Sequence, residues 1–263
     1  MSGEPLTNGR SNLAEKARAE GDKYLRAGRI EEAFRSYRQA ISADQNAPER
    51  HIHLGDAYAY ADMSAQAVAQ YRKAKKMNPR DPEPYFALGE IYRRYGQFEA
   101  SIAHFEKAVE LRPDAAFYCF KFAETLMVAD RPGRAVEMGR EAVNRDPSNG
   151  FYRFWLADLL ETCGEAEEAV QEMEIAALLT PEDDYYQFRH SVLCMRVGDL
   201  AAAIAAIGRA LQINPNSQLY AAFLGDALSA LGRTTQAQEA YKLAGDLDPY
   251  DAEMLRRARR QIG

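Results

Sequence analysis

Residues 48–81 read PERHIHLGDAYAYADMSAQAVAQYRKAKKMNPRD, and residues 82–115, which follow directly, read PEPYFALGEIYRRYGQFEASIAHFEKAVELRPDA. The two stretches have the same length and place glycine, tyrosine, alanine and proline at matching positions. Extending this 34-residue frame in both directions gives seven repeats, which begin at residues 14, 48, 82, 116, 150, 184 and 218. Because no insertion breaks the register, we number positions 1 to 34 within each repeat.

Small residues and proline recur at fixed positions of this repeat. Position 27 is alanine in all seven repeats, position 20 is alanine in six, and position 8 is glycine, alanine or serine. Proline stands at position 32 in six repeats. Such a pattern indicates places where two backbone segments approach closely and a place where a helix must end.

The spacing of apolar residues predicts two helices in each repeat. Apolar residues three and four apart predict an amphipathic helix over positions 1 to 14, and glycine at position 15 of five repeats predicts the turn that ends it. A second helix is expected to end near position 31, before the proline. One such pair cannot bury its own apolar face, so the sequence predicts an all-α solenoid of seven stacked helix-turn-helix repeats.

The second repeat carries the residues that identify a family. Gly55, Tyr58, Ala67, Tyr71, Ala74 and Pro79 resemble the tetratricopeptide repeat pattern, and the resemblance covers residues 14–249. It implies a right-handed superhelix whose concave groove, lined by the first helix of each repeat, binds an extended peptide or a helix. Repeats four to six depart from the pattern, because Gly139 replaces the usual aromatic residue of position 24 and His190, Ser191 and Cys194 occupy inner positions of repeat six.

Two segments lie outside the repeats. Residues 1–13 form a polar N-terminal tail, and residues 250–263 predict a C-terminal helix that covers the last repeat. This helix contains Arg256, Arg257, Arg259 and Arg260, and cations are favoured near a helix C-terminus. The alternative is that this basic segment is a docking tail.

Composition excludes several classes of protein. The chain has 263 residues, of which 47% are hydrophobic and 27% charged, as expected for a globular protein. No stretch has the roughly 18 consecutive apolar residues of a membrane span, and the polar first 13 residues lack the apolar core of a secretory signal, so the expected compartment is the cytoplasm. The net charge of -6 argues against a nucleic-acid partner, because an acidic groove repels phosphate.

Residues with catalytic chemistry are few. The sequence has no glycine-rich phosphate loop, nucleophile elbow or paired metal-ligand motif, so we expect no enzyme activity, no cofactor and no metal site. His190 and Cys194 lie four residues apart on one helix, but at inward positions 7 and 11, which favours a buried histidine with one hydrogen bond and a buried thiol. The three cysteines, Cys119, Cys163 and Cys194, are far apart and are predicted to be reduced and to face inward.

Positions 2, 5 and 9 share one face of the first helix, which we term the A face. Aromatic residues occupy position 5 in repeats three to six and position 2 in repeats four to six: Phe86, Phe120, Phe154 and Phe188, with Phe117, Phe151 and Tyr185. Acidic residues occupy position 9 in six repeats: Asp22, Asp56, Glu90, Glu124, Asp158 and Asp226. The predicted partner-binding residues are the seven rings together with Asp56, Glu90, Glu124 and Asp158.

Both features have a structural alternative. A ring at position 5 can support the fold, and an acidic side chain can be neutralised by a neighbour on its own helix. Such neighbours are Arg18 and Arg26 for Asp22, Arg94 for Glu90 and Lys121 for Glu124. Asp56, Asp158 and Asp226 have no basic residue three or four positions away, so the sequence leaves them without a local counterion.

The sequence favours an adaptor or assembly scaffold that binds a protein or peptide partner, an apolar segment with basic residues interspersed. The alternative is a scaffold that assembles with copies of itself, because a solenoid has two open ends. Capture of a chaperone C-terminus is disfavoured. It requires basic and amide side chains where this chain has Arg18, Asp22, His53, Glu83 and Ala87, and only Arg18 fits.

Overall fold

The structure, a computed structural model, describes residues 4–247, with side chains from residue 11 onward. Over this range it contains fourteen α-helices and no strand, which confirms the all-α class and the two helices per repeat. The first seven are α1 (Glu4–Arg26), α2 (Ile30–Ala43), α3 (Pro48–Tyr60), α4 (Ser64–Met77), α5 (Glu83–Arg94), α6 (Phe98–Leu111) and α7 (Ala116–Val128). The other seven are α8 (Pro132–Arg145), α9 (Gly150–Cys163), α10 (Ala166–Leu179), α11 (Asp184–Val197), α12 (Leu200–Ile213), α13 (Gln218–Ala230) and α14 (Thr234–Leu247).

The chain divides after Arg131 into two compact bodies. The N-terminal body contains α1 to α7, and the C-terminal body contains α8 to α14. Within each body, every helix packs against the next helix in sequence. Within each body, successive helices therefore bury their apolar faces against one another, as expected for a solenoid.

The ends of the chain differ from the repeat register. The first helix begins at Glu4, so it extends ten residues into the predicted polar tail before the register starts at Ala14. Pro5 stands in its first turn, where a missing amide hydrogen removes no helical hydrogen bond. The predicted C-terminal helix lies outside the described residues.

The turn between the two helices is the same in all seven repeats. The residue at position 15 has a left-handed backbone, with φ of 69° to 84° at Gly28, Gly96, Gly164, Gly198 and Gly232 and 59° at Asp62 and Asp130. The amide of position 16 donates to the carbonyl of position 11 at 2.8–2.9 Å, which closes the helix. Aspartate replaces glycine in two repeats because it is one of the few residues that tolerate this conformation.

The closest packing lies between position 8 of the first helix and position 24 of the second. A Cβ atom on Gly55 would lie 2.6 Å from the ring of Tyr71, and one on Gly225 would lie 2.5 Å from the ring of Tyr241. Repeats four to six have no ring at position 24, and there position 8 carries a side chain, namely Ala123, Ala157 and Ser191. The ring and the position-8 side chain therefore compete for one space.

We expect Gly55→Ala to lower the free energy of unfolding by about 1–3 kcal/mol, because the new methyl group overlaps the buried ring of Tyr71. Gly208→Ala is the matched control, since Gly208 lies inside α12 and a Cβ there would meet nothing within 4 Å. This change should raise the free energy of unfolding by about 0.5–1 kcal/mol, because alanine loses less backbone entropy on folding. Urea denaturation followed by circular dichroism measures both; equal effects of the two changes would contradict the packing argument.

Candidate partner-binding surface

The residues at position 2 form the exposed part of the A face. Phe117 in the N-terminal body is 47% exposed, and in the C-terminal body Phe151, Tyr185 and Leu219 are 46%, 49% and 59% exposed. We term the three residues of the C-terminal body the position-2 row. Leu219 stands at position 2 of repeat seven but was not among the predicted residues, because it is aliphatic and lies outside the aromatic pattern.

The rings at position 5 have a different role. Phe86 stacks on Tyr118 with a centroid distance of 4.4 Å, Phe154 on Tyr186 at 4.6 Å, and Phe188 on Tyr220 at 5.0 Å. In each pair, the position-5 ring of one repeat meets the position-3 tyrosine of the next. These rings therefore hold adjacent repeats together, in addition to forming part of the A face.

Phe120 departs most from the prediction. Its ring is only 6% exposed, so the structural alternative applies to it, and a partner cannot reach most of its surface. The exposed ring in the same repeat is Phe117, which lies 6.3 Å from Phe120.

The position-2 rings rest on the position-5 rings. Tyr185 lies 5.9 Å from Phe154 and 6.4 Å from Phe188 between ring centroids, and Phe117 lies 5.6 Å from Phe86. Packing on two sides restricts the rotamers of an exposed ring. A partner would then lose little side-chain entropy when it binds this row.

The position-9 acidic residues of repeats one, two and seven each have an unpredicted partner, the tyrosine at position 24 of the same repeat. The carboxylates of Asp22, Asp56 and Asp226 accept hydrogen bonds of 2.7, 2.7 and 2.8 Å from Tyr37, Tyr71 and Tyr241. Burial, and then the adjacent carboxylate, raises the pKa of Tyr71, so its hydroxyl stays protonated and donates. The signal was present in the sequence, because tyrosine at position 24 occurs only in these three repeats.

Two further acidic residues have partners on their own helix. Lys121 donates to Glu124 at 2.7 Å, which confirms the predicted pair. Glu90 accepts 3.2 Å hydrogen bonds from Arg93, three residues away, and not from the predicted Arg94. Arg94 instead bonds to Asp62 of the preceding repeat at 3.2 Å.

Asp158 has a counterion on another helix, although it has none on its own. Arg189, on the first helix of the next repeat, donates to Asp158 at 2.7 Å and to Glu161 at 2.9 Å. Arg196 pairs with Glu161 at 2.6 Å. Burial raises the pKa of Asp158, while Arg189 acts to lower it. The substitution Asp158→Lys would place a second cation against Arg189. It is therefore expected to disturb folding as well as to reverse the charge.

Asp56 differs from Asp158 in its exposure and its partner, although partial desolvation raises the pKa of its carboxyl as well. Its side chain is exposed, and its hydrogen-bond partner is the neutral hydroxyl of Tyr71. Glu49 is also exposed and lies seven residues earlier on α3, so the two carboxylates share one face of this helix. This pair is the acidic part of the A face in the N-terminal body.

The residues with catalytic potential are mostly buried. Cys119, Cys194 and His190 are buried as predicted, whereas Cys163, in the last turn of α9, is partly exposed. Burial raises the pKa of Cys194 to about 11, so the thiol stays protonated. The Nδ1 atom of His190 is buried and has no hydrogen-bond partner in the described part of the chain.

Residues 4–247 contain neither a metal-binding cluster nor a membrane-spanning helix. No group of three or more His, Cys, Asp or Glu side chains within this range could hold a metal ion. None of the described helices is long and apolar enough to cross a membrane.

Family sequence profiles match several parts of the chain. Profiles described as tetratricopeptide repeat match residues 48–81, 82–115 and 193–252, and one described as TPR repeat matches residues 21–60. The chain belongs to the tetratricopeptide repeat family. A comparison with curated proteins gave no significant match.

Solved tetratricopeptide repeat structures share the fold. PilF from Pseudomonas aeruginosa has a TM-score of 0.63 and 19% identity, covering 83% of this chain and 99% of its own. YrrB, described as a TPR protein with an unusual peptide-binding site, has a TM-score of 0.61 and 20% identity, covering 72% and 97%. A MamA structure has a TM-score of 0.58 and 20% identity, covering 65% and 94%. At these identities the likeness shows the tetratricopeptide fold alone.

The two neighbouring rings of repeat four should respond differently to truncation. We expect Phe120→Ala to lower the free energy of unfolding by about 3–5 kcal/mol, because it leaves a cavity at a buried site. Phe117→Ala, at an exposed site, should lower it by no more than about 1 kcal/mol. Thermal and urea denaturation measure the free energy of unfolding of the two variants. If both variants were equally stable, the division into supporting and exposed rings would be wrong.

Proposed function

We propose that this tetratricopeptide repeat protein is an adaptor or assembly scaffold that holds a protein partner on its A face. The observation that carries the proposal is the position-2 row. Large apolar side chains at the same position of successive repeats are about half exposed, although burial would be favourable. Aromatic residues dominate binding energy when a partner covers them, because they bury large areas at low entropy cost.

The C-terminal body offers an apolar surface whose neighbouring charged groups are engaged. Its exposed row consists of Phe151, Tyr185 and Leu219. Asp158 and Glu161 pair with Arg189 and Arg196. Asp226 accepts a hydrogen bond from Tyr241. The partner segment that suits this surface is therefore apolar, in an extended or a helical conformation.

The N-terminal body supports the other predicted feature of the partner, which is the presence of basic residues within its apolar segment. Position 2 is Glu15, Glu49 and Glu83 in the first three repeats. Glu15 pairs with Arg18 and Glu83 with Arg112, which leaves Glu49 and Asp56 on α3 as the exposed acidic pair. Basic residues of the partner would meet this pair, and the attraction would speed association at low salt.

The test begins with capture of the partner on the immobilised protein from its native extract, followed by binding kinetics with the purified partner. Tyr185→Ser combined with Leu219→Ser should weaken the affinity by at least about 2 kcal/mol, because two exposed anchors are removed. Leu243→Ser is the matched control, since Leu243 is also exposed but lies on α14, a second helix. The control should bind like the parent protein.

A second set of variants, which removes single charges, tests the acidic pair of Glu49 and Asp56. Asp56→Asn should lower the association rate and flatten its salt dependence, whereas Glu31→Gln, which removes the same charge from α2, should not. Equal binding by the double variant and the parent would refute the A-face proposal. Sedimentation that becomes faster with concentration, and that the double variant abolishes, would assign the row to self-assembly instead.

A further inference from the structure

The C-terminal body contains a cavity of about 310 Å³ where α10, α11 and α12 meet. Its apolar wall includes Ala177, Leu178 and Ile213, its polar wall Gln187, His190 and Arg209, and Glu174 lies beside them. None of these residues stands at position 2, 5 or 9 of its repeat. The cavity is therefore separate from the A face and from the function proposed above.

Two departures from the repeat pattern create this cavity. Position 7 is Leu54, Leu88, Phe122, Leu156 and Leu224 in five repeats, but histidine at 190. Position 28 is Ile41, Val109, Val143 and Leu211 in four repeats, but the smaller alanine at 177. The first change places a polar ring where the repeat has an apolar side chain. The second removes side-chain volume next to it.

The polar wall is built from anchored groups. Gln187 is 4% exposed, and its Nε2 atom donates to the carbonyl of Ala177 at 3.3 Å. Its Oε1 atom accepts a 2.9 Å hydrogen bond from the Nε atom of Arg209. These two hydrogen bonds fix the guanidinium of Arg209 at the cavity through its Nε atom. Its two terminal nitrogens are left to bind a ligand.

His190 is the second polar group at the cavity. It is 3% exposed, and its buried Nδ1 atom has no hydrogen-bond partner in the described part of the chain. An unpaired buried polar atom reduces stability, and leucine at this position would avoid that loss. A repeat that served only to pack would gain nothing from this histidine.

We propose that this cavity binds an aliphatic carboxylate. Arg209 and His190 would face the carboxylate, and Leu178 and Ile213, which are both exposed, would contact the aliphatic part. A carboxylate fits better than a cation because the guanidinium of Arg209, although exposed like the carboxylate of Glu174, is held at the cavity by the buried Gln187. The volume is at the lower end for ligand pockets, which suits a small acid or a single acidic side chain.

The first experiment titrates 4-methylpentanoate, and its neutral amide as control, into the ¹⁵N-labelled full-length protein. The acid should produce saturable shifts of the backbone amides of Ala177, Gln187, His190 and Arg209, and the amide should not. Arg209→Gln should weaken binding of the acid at least about tenfold, because the charged donor is lost. Arg233→Gln removes the same charge from the α13–α14 turn and should bind like the parent.

Two further variants separate binding from folding. Ala177→Leu restores the bulk that Leu211 has in the next repeat and should block binding while the protein remains folded. His190→Leu restores the leucine of the other repeats and should melt at the same or a higher temperature while it binds more weakly. Burial lowers the pKa of His190 in the free protein, and a bound carboxylate should raise it, which imidazole ¹⁵N shifts report.

A peptide arm distinguishes the source of the carboxylate. Acetyl-Leu-Glu-Leu-amide shifting the same residues, with acetyl-Leu-Gln-Leu-amide inactive, would indicate an acidic side chain of a protein partner. A response to the free acid alone would indicate a small aliphatic acid. The proposal is overturned if the acid and its amide give equal or non-saturating shifts, or if Arg209→Gln and Arg233→Gln bind alike.

Discussion

In the repeats that have an aromatic ring at position 24, the ring lies so close to the first helix that a Cβ atom opposite it would be crowded. A Cβ atom at position 8 would lie 2.5 to 3.1 Å from the ring in repeats one, two, three and seven. In repeats one, two and seven the ring is a tyrosine, and its hydroxyl reaches the aspartate at position 9 of the same repeat. One packing space thus determines how close the helices lie and which partner the acidic residue of the A face has.

Repeats five and six fill this space differently, and other features of the C-terminal body follow. With Met173 and Ile207 at position 24, no tyrosine hydroxyl is available there. Asp158 takes Arg189 of the next repeat as its partner, and repeat six has Val192 in place of an acid. The charged groups on the A face of this body are therefore paired or hydrogen-bonded beside an exposed apolar row. The same two repeats contain the cavity at His190, where two further positions depart from the pattern.

The repeat architecture could be predicted from the sequence because it depends on local signals with a fixed period. Glycine at position 15, proline at position 32 and alanine at position 27 set the helix ends and the closest contacts without reference to distant residues. The start of α1 at Glu4 could not be predicted from the register, because the residues before Ala14 do not follow the repeat pattern.

The candidate site was predictable only in part, because its details depend on the next repeat. Positions 2 and 5 share the A face, and the sequence alone could not separate their roles. The separation comes from the tyrosine at position 3 of the following repeat, such as Tyr186, which stacks on Phe154. Likewise, Arg189 is far from Asp158 in sequence and becomes its partner only when the repeats stack.

The claim that position 8 and position 24 share one space is tested most directly by a double-mutant cycle in repeat three. Gly89 and Phe105 form the pair there, with a 3.1 Å approach and no tyrosine hydroxyl to complicate the result. The variants are Gly89→Ala, Phe105→Met and both together, the last reproducing the Ala157–Met173 pair of repeat five. The account predicts that each single change lowers the free energy of unfolding, and that the double change costs less than their sum by about 0.5–3 kcal/mol. Strictly additive losses would contradict it.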